Sequence, residues 1–102
     1  MRIYFITRHP GAAAWAAGCG LSVDCCAPHL GPDLLDSLCP GDVVAGTLPV
    51  NLAAEVCARG ARYLNLSLDL PLHARGRELD AEDMHRYGAR LEEYTVRRVI
   101  RI

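Results

Sequence analysis

The chain has 102 residues, of which 51% are hydrophobic and 23% charged, so it can form one packed domain (residues 1–102) and is not a disordered or low-complexity segment. Its net charge of −1 argues against a surface for duplex nucleic acid, because phosphate-dominated binding needs a clearly basic face. Every one of the eleven basic residues is arginine; with no lysine there can be no P-loop lysine and no Schiff base.

Taken in chain order, residues 2–7 form a β-branched and aromatic run ended by Pro10-Gly11, which predicts a buried first strand. Ala12–Ala17 predicts a short helix that stops near Gly18 and Gly20. Leu21–Ala27 predicts a second strand, and Asp33–Leu38 a helical turn within a segment rich in turn residues. Asp42–Gly46 is short and apolar, as central parallel strands are. Thr47-Leu48-Pro49 then opens a helix, with Thr47 as the expected cap and Leu52, Ala53 and Val56 as the buried stripe up to Gly60. Arg62–Leu68 predicts a fourth strand and residues 69–79 a loop. Asp80 caps a last helix whose Met84, Tyr87, Leu91 and Tyr94 are spaced 3, 4 and 3 apart, and residues 95–102 alternate as a final strand would. Strand alternating with helix predicts an α/β fold, a Rossmann-like, mainly parallel sheet with flanking helices.

In such a sheet ligands bind outside the carboxyl ends of the strands. The segments expected there are Thr7-Arg8-His9-Pro10-Gly11, Gly46-Thr47-Leu48-Pro49-Val50-Asn51 and Ser67-Leu68-Asp69-Leu70-Pro71. The first two lead into helix N-termini, which favour a phosphate. Arg8 and His9 set a cation beside a titratable imidazole, a pairing that suits phosphodiester chemistry, though a solvated arginine beside a structural histidine fits equally. Thr47 and Asn51 could hold ribose or adenine edges, but capping alone also explains Thr47. Ser67 and Asp69 could orient a hydroxyl, and an Asx-turn explains Asp69 as well. Arg75-Gly76-Arg77-Glu78 is a basic stretch able to close over an anion, or ordinary surface charge.

Several classes drop out. No GxGxxG follows a strand, no GxSxG elbow is present, and no carboxylates cluster as a magnesium site would. Cys25, Cys26, His29 and Cys39 match no standard zinc spacing, and the odd count of five cysteines without a CxxC does not read as a secreted disulfide framework. No metal and no cofactor is expected. No apolar run approaches the roughly 20 residues that span a bilayer, and the opening residues are too short for a signal peptide, so a cytoplasmic protein without membrane contact is expected.

Residues 8–12 (RHPGA), the GTLPVNLAAEVCARGARYLNLSLDLP stretch (residues 46–71) and Arg75-Gly76-Arg77-Glu78-Leu79 together resemble a small CRISPR-associated family. It is the single-domain Csx accessory group found beside type III systems and related in fold to CARF domains; residues 19–40 match least. The resemblance implies a ring nuclease: a homodimer that binds cyclic tetra-adenylate across its twofold axis and cleaves it to linear products. That would switch off type III signalling. The implied chemistry is metal-independent attack of a ribose 2′-hydroxyl on its own phosphodiester. Arg8 and Arg75 would then contact phosphate and stabilise the transition state, and His9 would be the general acid or base. Thr47, Asn51 and Ser67 would position ribose, with Thr7, Pro10, Gly11, Gly46, Leu48, Pro49, Asp69 and Arg77 completing the binding loops. The alternative is a sponge that sequesters the ring uncut.

Overall fold

The computed structural model describes all 102 residues. Its five strands are β1 (Ile3–Ile6), β2 (Cys25–Ala27), β3 (Val43–Gly46), β4 (Arg62–Ser67) and β5 (Arg90–Tyr94). Four α-helices connect them: α1 (Pro10–Gly18), α2 (Pro32–Ser37), α3 (Val50–Ala58) and α4 (Ala81–Arg86), with a 3₁₀ turn at Leu72–Ala74. The sheet order is β2-β1-β3-β4-β5, with the first four strands parallel and β5 antiparallel to β4. The expected α/β, mainly parallel architecture is therefore the observed one, consistent with a Rossmann-like fold.

Alternation along the short strands sends neighbouring side chains to opposite faces. On one face Tyr4, Ile6, Val44 and Tyr63 pack with Ala53 and Val56 of α3 and with Leu34 and Leu35 of α2. On the other, Phe5 and Ala45 pack with Ala12, Trp15 and Ala16 of α1 and Met84 of α4. Two helical layers thus sandwich the sheet, each with its own half-core. The fully buried Phe5, Val44 and Val56 contribute roughly 1.5–3 kcal/mol each through removal of apolar surface from water.

Five expectations need correction. The last helix does not carry a Met84–Tyr94 face. It ends at Arg86, because Gly88 takes a φ of 71° and the Ala89 N–H turns back to the Met84 carbonyl at 2.9 Å. Leu91 and Tyr94 instead lie on β5, where they pair with Leu66 and Tyr63 of β4, and residues 95–102 form no strand. Within Leu21–Ala27 only Cys25–Ala27 pairs with β1. Thr47 does not cap α3: the N-cap is Pro49, and the Thr47 hydroxyl donates to the Leu66 carbonyl across to β4 at 3.1 Å. Helix α1 also starts earlier than expected, because Pro10 at its first position suits a helix entry.

Candidate functional site

The strand order places the site. From β1 the chain crosses by α1 to β2 on one side, whereas β3 lies on the other side of β1. The β1–α1 loop therefore leaves toward one helical layer and the β3–α3 loop toward the other. A crevice opens between them at the carboxyl end of the sheet, the position where open α/β sheets take ligands.

A cleft of about 830 Å³ occupies this position. Its polar lining is Thr7, Arg8 and His9 after β1, His29 after β2, Thr47 after β3, and Arg77 with Glu78 from the segment before α4. Its floor is apolar, with Leu30, Leu48, Leu52, Leu66, Leu68 and Met84 contributed by both half-cores. Arg8 and Arg77 form no ion pair, so two guanidiniums face the cleft with their donors uncommitted.

Local structure holds these loops in place. The Thr7 hydroxyl oxygen accepts from the His9 N–H at 3.0 Å, and Pro10 then starts α1, so His9 sits between a hydrogen-bonded turn and a helix entry. Gly46 ends β3 with a φ of 144° against β1; a Cβ there would collide with the Ile6 carbonyl oxygen. Buried Tyr63 fixes the next turn, because its hydroxyl accepts from the Leu48 N–H at 3.1 Å and donates to the Asn65 Oδ1 at 2.5 Å. Burial pushes the Tyr63 phenol above its ordinary pKa, so it keeps its proton across the neutral range. The Asn65 amide in turn donates to the Ser67 hydroxyl at 2.9 Å. Tyr63, Asn65 and Ser67 thus make a polar ladder along one face of β4.

Of the residues expected at the site, Thr7, Arg8, His9, Thr47, Leu48, Pro49 and Arg77 line this one cleft. The others lie elsewhere or serve packing. Pro10 is the first residue of α1, and Gly11 is buried where a side chain would strike the Leu79 backbone. Gly46 lies beneath the β3–α3 loop without lining the cleft. Asn51 faces a separate groove shared with residues 95–98. Ser67 ends the polar ladder, and Asp69 pairs with Arg90 at 3.2 Å while its N–H donates to the Tyr87 carbonyl at 2.8 Å. Arg75 is exposed two residues before Arg77. His29 enters the cleft without having been singled out for it, Glu78 enters with the Arg75–Glu78 stretch expected to close over an anion, and Asn65 and Arg90 had no motif to mark them. Cys25, Cys26, His29 and Cys39 supply no cluster of three metal-ligating side chains.

This arrangement can hold an anionic group between Arg8 and Arg77, lay an apolar or aromatic ring on the leucine floor, and present an imidazole to the bound group. The Thr47 hydroxyl has its proton committed to Leu66, so toward a ligand it acts as an acceptor, as a ribose hydroxyl requires. No helix is long and apolar enough to cross a membrane.

Residues 4–97 match the model of the family described as "Putative CRISPR-associated protein (Cas_VVA1548)". Neither a curated protein nor a solved structure matches the chain.

Proposed function

Since the chain belongs to this CRISPR-associated family, we propose that it is a ring nuclease acting on cyclic tetra-adenylate, the second messenger of type III systems. The observation that carries the reading is the cleft at the strand-order switch point, which joins unpaired guanidiniums and an imidazole to an apolar floor. A cyclic oligoadenylate offers matching groups: phosphodiesters for Arg8 and Arg77, adenine rings for the leucines, and a ribose hydroxyl for Thr47.

In this reading the 2′-hydroxyl attacks its own phosphodiester in line, and the two arginines stabilise the charge that builds on phosphorus-bound oxygens. His9 moves a proton in that step. A four-nucleotide ring exceeds one chain's cleft, so two copies related by a twofold axis bind it, each presenting the same loops to opposite phosphodiesters. Arg75, on the outer side of the segment that carries Arg77, then meets the part of the ring beyond its own cleft. Leu72, 83% exposed in that segment, supplies apolar surface for the second copy.

The test is incubation of the protein with radiolabelled cyclic tetra-adenylate in EDTA, followed by chromatography. Linear products ending in a 2′,3′-cyclic phosphate are expected. A ring bound tightly but recovered intact would make the protein a sponge, and a ring that neither binds nor changes would end the reading.

A further inference from the structure

The cleft holds a second imidazole. His29 follows β2, which pairs with β1 in register, Ile6 beside Ala27, and the Thr7 N–H still donates to the Ala27 carbonyl at 2.9 Å. The loops Thr7-Arg8-His9 and Pro28-His29-Leu30 therefore leave the sheet side by side, about one strand spacing of ~4.8 Å apart. Each histidine is held by its neighbours. Leu30 is buried in the half-core beside α2 and α3, and Pro28 restricts the backbone before His29. His29 itself is exposed and its ring makes no hydrogen bond within the chain. The other charged or titratable groups that line the cleft are Arg8, His9, Arg77 and Glu78.

Resting on the ring-nuclease reading, we propose that His29 is the second proton-transfer group of the site, paired with His9. Attack by a 2′-hydroxyl needs two proton movements. The 2′-oxygen–phosphorus bond forms while the phosphorus–5′-oxygen bond breaks; a base takes the 2′-hydroxyl proton and an acid gives one to the departing 5′-oxygen. The products are a 2′,3′-cyclic phosphate and a 5′-hydroxyl, and no co-reactant is consumed. One histidine on each of two adjacent loops can serve the two ends of an in-line displacement, which a single imidazole on one side of phosphorus cannot do at once. The guanidiniums cannot take up or release a proton, and the remaining candidate, Glu78, comes from the segment whose Leu79 packs on Gly11, not from a loop paired strand to strand with Thr7-Arg8-His9.

The experiment compares wild type, His9→Ala and His29→Ala in single-turnover cleavage across pH. The substrates are cyclic tetra-adenylate and an analogue with sulfur in place of the bridging 5′-oxygen. His29→Ala should melt like wild type and bind the ring with unchanged affinity, yet cleave it roughly 10²–10⁴-fold more slowly. Its rate profile should lose one limb of the bell seen for wild type. Whichever histidine is the acid, its alanine variant should recover on the sulfur substrate, whose leaving group needs no proton. Should His29→Ala cleave at the wild-type rate, His29 has no chemical role while the ring-nuclease reading stands. Should it be slow with both limbs intact, or should sulfur rescue neither variant, His29 only positions the ring and the pairing is wrong. A wild-type protein that never cleaves the ring removes both readings together.

Discussion

Replacing Gly46 with alanine tests whether the junction of β1 and β3 shapes the cleft. At a φ of 144° an L-residue is strained, which costs about 1–3 kcal/mol. The added methyl would also overlap the Ile6 carbonyl oxygen, a backbone atom in the neighbouring strand that cannot rotate away. Moving β3 off β1 disturbs a well-packed core, a further cost of about 1–3 kcal/mol. Together these give about 2–6 kcal/mol, and at roughly 4–8 °C per kcal/mol for a chain of this size the midpoint should fall by at least about 8 °C. Urea and thermal unfolding followed by the fluorescence of Trp15, the single tryptophan, would read it. Gly20→Ala is the control: its φ is 82° but nothing lies within 4 Å of a Cβ there, so only the strain of about 1–2 kcal/mol applies. Equal losses in the two variants would refute the close-approach reasoning.

Tyr63→Phe should cost about 1–3 kcal/mol in urea unfolding, because the half-buried Leu48 N–H and Asn65 Oδ1 both lose their partner; a loss below about 0.5 kcal/mol would show that water or a shifted loop replaces the hydroxyl. Asp42 accepts from the Cys39 and Arg2 N–H groups, which hold its carboxyl below the ordinary carboxylate value. Its stabilisation is therefore complete above the unfolded-state pKa of about 3.9 and is lost as pH falls through the lower folded-state value. Denaturation measured against pH should show Asp42→Asn less stable near neutrality and flatter on the acid side, and parallel profiles would count against this assignment. Arg8→Ala should weaken both ring binding and turnover, since a phosphate contact acts in ground and transition states alike. His9→Ala should instead keep its affinity and slow single turnover by roughly 10²–10⁴. Isothermal titration and quench-flow would separate the two, and an unchanged His9→Ala rate would remove that histidine from the chemistry.

What could be read from the amino-acid order was whatever depends on local pattern. Compact apolar runs marked β1, β3 and β4, and Pro49 and Gly60 bracketed α3 closely. The loops after β1 and β3 were legible as ligand loops because parallel topology alone brings them to one edge. Failures came where tertiary structure overrides a pattern. Met84, Tyr87, Leu91 and Tyr94 have helical spacing, but Gly88 breaks the helix and pairing with β4 turns the remainder into an antiparallel edge strand. Asn51 was one residue into a helix whose exposed side faces another groove, a rotation that the order of residues does not disclose. His29 was overlooked in the cleft because its strand is only three residues long and its surroundings are rich in turn residues. Only the pairing of β2 with β1 puts it beside His9.

The two half-cores share nothing but the sheet between them, and the cleft is the place where side chains from both meet in one cavity. A ligand seated there acts as a rivet through the laminate. Its binding energy reaches the α1–α4 layer through the loop after β1 and the α2–α3 layer through the loop after β3, so neither layer can peel away without releasing it. At a hundredfold excess over Kd such a ligand adds about 2.7 kcal/mol to the stability of the whole chain. Amide protons on both sides of the sheet should slow together, as though a single fastener had been tightened.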